Sequence, residues 1–102
     1  MKNIKKIETT LENKFAHDED VRFHAIMRRT RRLADWTAEQ IGVDSAAYAS
    51  QLADLYLGTP DDDVMAAKVR LDLNRAGIPC AHFEVRVKMV ELLFAEQQAI
   101  AA

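Results

Sequence analysis

Apolar residues recur along this chain with the period of an α-helix. Phe23, Ile26, Met27, Thr30, Leu33, Ala34, Thr37 and Ile41 follow one another at helical spacing. On a wheel of 100° per residue they fill one arc of about 120°, the width of a core-facing stripe. A long first helix is therefore predicted to end at Ile41. Its start is open. Thr9-Thr10-Leu11-Glu12 has the form of a capping box. Asp18, Glu19 and Asp20 would equally suit a first turn, where acidic groups face the positive end of the helix dipole.

Further stripes follow. Tyr48, Leu52, Leu55 and Tyr56 fall on one side of a second helix capped by Asp44 or Ser45. In a third, Thr59 is the expected N-cap and Pro60 the first helical residue. Asp61, Asp62 and Asp63 then sit in the first turn, and Val64, Ala67, Leu71 and Asn74 form the expected stripe. In a fourth, Phe83, Val87, Val90 and Phe94 form a row that Val85, Met89, Leu92 and Leu93 widen. That breadth predicts the most buried helix of the four. Cys80 and Ala81 offer it only a poor N-cap.

The breakers agree with this division. The chain has three glycines, Gly42, Gly58 and Gly77, and two prolines, Pro60 and Pro79. All five fall at the junctions of the predicted helices, where glycine takes the left-handed residue just past a helix end and proline opens the next segment. The expected fold is all-α: a compact four-helix bundle with a long first helix. Residues 1–17 read as an N-terminal arm, either mobile or an amphipathic helix. Residues 18–102 read as the bundle, with helices at about 18–41, 45–57, 60–76 and 81–99.

Composition narrows the class. The 102 residues are 49% hydrophobic and 29% charged, with a net charge of −2, which is not the signature of a disordered chain. The scarcity of Gly and Pro argues against a many-turned β domain. The lone Cys80 excludes an intramolecular disulfide framework and suits a reducing compartment. There is no apolar run of the roughly 20 residues a membrane span needs, and the start lacks the apolar core of a secretory signal. A cytoplasmic protein without membrane insertion is expected. The charge balance gives no global reason to expect nucleic acid.

Enzymatic motifs are missing. The chain has no phosphate loop, no dinucleotide fingerprint, no His-Glu-x-x-His and no Cys-x-x-Cys. No catalytic residue and no metal ligand is expected. His17-Asp18-Glu19-Asp20 and Asp61-Asp62-Asp63 read as charged helix starts, because neighbouring helical residues point in different directions. His17 and His24 are two turns apart, about 10.5 Å, too far to share an ion.

Three features leave room for binding. Arg28, Arg29, Arg31 and Arg32 centre opposite the apolar stripe of the first helix, which makes them a solvated face, with Asp35 four residues after Arg31. The remaining reading is contact with an anionic ligand or partner. Trp36 lies on the wheel between Arg29 and Arg32. It is either covered by another segment or exposed as an anchor with Arg32 stacked on its ring. In the arm, Ile4, Ile7, Leu11 and Phe15 form a narrow stripe accompanied by Lys2, Lys5, Lys6 and Lys14. This stripe is centred roughly 100° from the core stripe, so the arm does not extend the core face. It is a segment that folds into a partner's groove or a terminus that folds back on the bundle, with a membrane-surface helix as a third reading that its shortness and Glu8 and Glu12 count against.

Several runs together resemble one family. They are Phe15-Ala16-His17-Asp18-Glu19, Arg28-Arg29, Leu33 with Trp36-Thr37-Ala38-Glu39, and Ile41-Gly42. Tyr48-Ala49, Asp62-Asp63-Val64, Lys68, Asp72-Leu73, Gly77, Arg86, Lys88-Met89 and Glu91-Leu92-Leu93 continue the likeness. The chain thus resembles the zeta subunit family, small four-helix inhibitors of the alphaproteobacterial F-type ATP synthase. The resemblance implies that the segment before Phe15 enters the catalytic head and blocks ATP hydrolysis while the bundle docks outside. Ile4, Lys5, Ile7, Leu11, Glu12, Lys14 and Phe15 would then be partner contacts. Arg28, Arg29, Arg32 and Trp36 would be docking or nucleotide contacts. No resident cofactor is implied, only weak binding of ATP or ADP, and the free protein is expected to be a monomer. An alternative is a nucleotide-binding helical module that has lost inhibition. The Lys-Asn-Ile-Lys-Lys-Ile start departs from the acidic, aromatic start usual in the family, and Ile78 to His82 diverge as well.

Overall fold

The computed structural model describes the backbone of residues 2–101 and the side chains of Asn13 and of residues 17–99. Four helices follow in order: α1 Lys2–Ile41, α2 Ser45–Gly58, α3 Asp62–Arg75 and α4 His82–Ala101. There is no strand among the described residues. The all-α, four-helix expectation holds.

α1 begins at Lys2, ahead of both predicted starts. At 1.5 Å per residue its 40 residues span about 60 Å, roughly three times the length of α2 or α3. Among its described side chains, those that reach the core lie in its second half. Asn13 and His17 to Asp20 are exposed, and Ala25 is the first buried position among its described side chains. Thr30 and Thr37 are buried at no cost in hydrogen bonding, because each hydroxyl donates to the carbonyl one turn back, Ile26 and Leu33, at 2.8 Å.

Two junctions use glycine as the sequence predicts. Gly42 and Gly77 take φ of 75° and 83°, the left-handed region that a side chain disfavours. At the second, the Gly77 N–H donates to the Asn74 carbonyl and the Ile78 N–H to the Leu73 carbonyl, which closes α3 in a Schellman turn. Gly58 differs: it is the last residue of α2, and Thr59 is the C-cap, its N–H donating to the Leu55 carbonyl. That corrects the expected start of α3. With Thr59 closing α2, Asp61 becomes the N-cap and accepts the Asp63 N–H. Asp44 caps α2 by accepting the Ala47 N–H. For α4 the weak cap is offset by Glu84, whose carboxylate accepts the Ala81 N–H from three residues on, half of a capping box.

The core joins all four helices: Leu33, Ala34 and Ala38 of α1, Tyr48 and Leu52 of α2, Met65, Ala66, Val69 and Leu73 of α3, and Val85 and Met89 of α4. Two predicted faces are wrong. In α3 the stripe Val64, Ala67, Leu71 and Asn74 lies on nearly the opposite side from the residues that are buried; Leu71 and Asn74 are exposed. Met65, Val69 and Leu73 are the larger side chains with a partner helix on their side. In α4 the row Phe83, Val87, Val90 and Phe94 faces outward, at 74%, 40%, 62% and 62% exposure. The inward row is Val85, Met89, Leu92 and Glu96. α4 is therefore not the most buried helix; it is apolar on two opposite faces and covered on one.

Candidate functional site

The arginines of α1 have separate fates. Arg28 and Arg31 are exposed. Arg29 is buried at 1% exposure, which corrects its placement on a solvated face. Its Nη2 donates to Asp62 Oδ1 at 2.9 Å. A guanidinium taken out of water needs a carboxylate, and Asp62 at the start of α3 supplies it. Its Nε is buried with no hydrogen-bond partner.

The cluster extends to α4. Arg86 Nη1 lies 3.3 Å from Asp62, and Arg86 Nε 3.4 Å from Asp63. His82 Nε2 lies 3.0 Å from Asp63 Oδ1. Partial burial pushes the Asp62 carboxyl up, but the hydrogen bonds and charges of Arg29 and Arg86 outweigh it and hold the group below the ordinary aspartate value. The aspartate run thus stabilises its own helix end and also clamps α3 to α1 and α4.

Arg32, itself exposed, donates to Glu96, which is buried. Trp36 is half-buried against the core, and the ammonium of Lys88, 5.5 Å from its ring centroid, sits over it. The cation on the indole is thus Lys88 of α4, where the sequence suggested Arg32. Asp35 accepts the Ser45 hydroxyl and ties α1 to the start of α2. Of the candidate contacts Arg28, Arg29, Arg32 and Trp36, only Arg28 makes no ion pair and no aromatic contact among the described residues.

A second polar group escaped the sequence reading. Tyr48 Oη donates to Asp72 Oδ2 at 2.7 Å, and Lys68 Nζ donates to the same oxygen at 3.0 Å. Lys68 also lies 5.4 Å from the Tyr48 ring centroid. Burial, and then the hydrogen bond and charge of Asp72, push the Tyr48 phenol far above its ordinary value. These residues line an open cavity of about 400 Å³ with Ile41, Gln51 and Arg75. The i, i+4 spacing of Lys68 and Asp72 is visible in sequence, but Tyr48 is not, because its partner is 24 residues away.

Glu96 was also missed. It stands eleven residues after Val85, on the same helix face as Val85 and Met89, so an acidic residue on the inward row was its signal. Burial and Glu84 push the Cys80 thiol up, which favours its protonated form. Among the described residues, no three His, Cys, Asp or Glu side chains are grouped to hold a metal ion. No helix among them is long and apolar enough to cross a membrane. The side chains of Ile4, Lys5, Ile7, Leu11, Glu12, Lys14 and Phe15 lie outside the described residues.

A family model described as ATPase inhibitor subunit zeta matches residues 1–100. No curated protein and no solved structure gives a match.

Proposed function

The chain belongs to the ATPase inhibitor subunit zeta family, and we propose that it binds the catalytic head of the F-type ATP synthase and blocks ATP hydrolysis with its N-terminal segment. The family match over residues 1–100 carries this reading. It fits an inhibitor subunit that is not itself a catalyst. Two further observations support a role for the segment. The helix α1 continues to Lys2, well ahead of its first buried described side chain, Ala25. The stripe Ile4, Ile7, Leu11 and Phe15 has helical spacing and is rotated away from the core stripe. A helix inserted between two subunits uses such a stripe as its anchor, with Lys5, Glu12 and Lys14 meeting polar groups at the rim. The test is ATP hydrolysis by the cognate enzyme with the wild-type chain and with Leu11→Asp. The wild type inhibits and the variant loses inhibition while keeping its helical content. Equal inhibition by both removes the segment from the mechanism.

One observation favours a second reading, a small module that binds an adenine nucleotide. The cavity beside Tyr48 has the size of a small-molecule site, and Arg75 and Lys68 line it beside the carboxylates of Asp44 and Asp72, with Lys68 already paired to Asp72 and Arg75 the cation offered to a phosphate. Titration with ADP, followed by amide shifts, would then perturb Tyr48, Lys68 and Arg75 together. Shifts centred on Arg28 to Arg32 would move the site to α1, and no shift at millimolar ligand would remove it.

A further inference from the structure

Phe83, Val87, Val90 and Phe94 form a straight apolar row along α4, between 40% and 74% exposed. Their spacing of four, three and four is the a/d spacing of a heptad, with Phe83 and Val90 at d and Val87 and Phe94 at a. The opposite face of α4 already has its partners, since Val85 and Met89 are buried in the core. A contiguous apolar row of this kind on a folded surface marks an association site.

We infer that the occupant is a second copy of this chain, joined through a parallel, in-register pairing of the two α4 helices. On sequence, a free monomer is expected and, separately, this row is part of a buried face; the row lies on the surface instead. The flanking charges select both the partner and the direction. The e positions beside the seam are Glu84 and Glu91, both exposed, and the g position of the first heptad is Arg86. In an antiparallel pair, e faces e, which sets these glutamates against their own copies. In a parallel pair, g faces the e position five residues on in the other helix, which sets Arg86 against Glu91. Arg86 uses Nη1 and Nε for Asp62 and Asp63, leaving Nη2 for a carboxylate across the seam. The pairing is isologous and closes as a two-fold dimer. It is independent of the inhibitory reading and stands or falls without it.

A seam of two heptads is smaller than a standard interface of about 1,600 Å², so the association is weak, with a Kd of roughly 10 µM to 1 mM. The test is sedimentation equilibrium of the full chain from about 10 µM to about 1 mM. The apparent mass rises towards twice that of the chain. Val90→Asp, at an exposed position, keeps the helical content and stays at the monomer mass over the whole range. For direction, Val90→Cys in a Cys80→Ser background is oxidised with oxidised glutathione. A parallel seam places residue 90 against its own copy, so a disulfide-linked dimer forms. A wild-type chain that remains monomeric at the highest concentration overturns the proposal, as it would if a subunit of another protein were the occupant of the row. So does a dimer that survives Val90→Asp. Cross-linking only in a mixture of Val87→Cys and Val90→Cys chains overturns the parallel arrangement, because an antiparallel seam sets a against d.

Discussion

Arg29 Nη2 of α1 lies 2.9 Å from Asp62 Oδ1 of α3, and the two ends of this pair are not equally solvated. The guanidinium is 1% exposed and the carboxylate 37%. Asp62 also has Arg86 beside it, whereas Arg29 has no second carboxylate among the described residues. The asymmetry sets the order of damage. Asp62→Ala leaves a buried cation unpaired and is expected to cost about 3–5 kcal/mol. Arg29→Met leaves a carboxylate that water and Arg86 still reach, and costs distinctly less. Urea unfolding of the two variants measures both; equal costs would contradict the assigned burial.

The same pair makes stability depend on acid. The Asp62 carboxyl titrates below the ordinary aspartate value in the folded chain, despite the burial that opposes this. The unfolded chain therefore takes up its proton first as the pH falls. The stabilisation is fully present above about pH 4, the ordinary aspartate value, and is lost as the pH falls through the lower folded value. Asp62→Asn should lose stability at neutral pH and show a flatter profile below about pH 4. Parallel acid profiles for variant and wild type would remove Asp62 from the acid response.

Tyr48 gives the opposite sign. Its phenol is held protonated by burial and by Asp72, so the folded value lies above the unfolded one. Its contribution is whole below about pH 10 and declines as the pH rises beyond that. Tyr48→Phe is expected to cost about 1.5–3 kcal/mol at neutral pH, because its hydroxyl donates to a charged group. It should also remove part of the alkaline loss. Chemical denaturation on both sides of the phenol's ordinary value checks both statements.

The two faces of α4 give a packing test. Met89→Ala opens a cavity in the core and is expected to cost about 2–5 kcal/mol. Phe94→Ala removes a larger side chain from the surface and should change stability by no more than about 0.5 kcal/mol. The reverse order would place the outer row in the core after all.

Most of the α1 stripe was legible because an apolar arc faced a charged one, although Phe23 of the stripe is 44% exposed and Arg29 of the charged arc is buried; two breakers were legible because Gly42 and Gly77 sit where a left-handed residue is required. The faces of α3 and α4 were not legible, for a physical reason. Both helices carry apolar residues on two sides, so helical spacing alone admits two answers. In α4 the wholly apolar row is the outer one, and the inward row ends in Glu96. Only the approach of Arg32 lets that carboxylate be buried. Likewise Arg29 is interior only because Asp62, 33 residues on, meets it. Such pairings are tertiary and leave no local trace.

The central claim is that this subunit inhibits through the residues ahead of Asp18. The direct measurement is steady-state ATP hydrolysis by the cognate synthase, titrated with the full chain and with a chain that begins at Asp18. Circular dichroism of both chains would confirm that the remaining helices are intact. The full chain is predicted to suppress hydrolysis and the shortened chain to leave it unchanged. Equal suppression by the two, or none by either, would contradict the account.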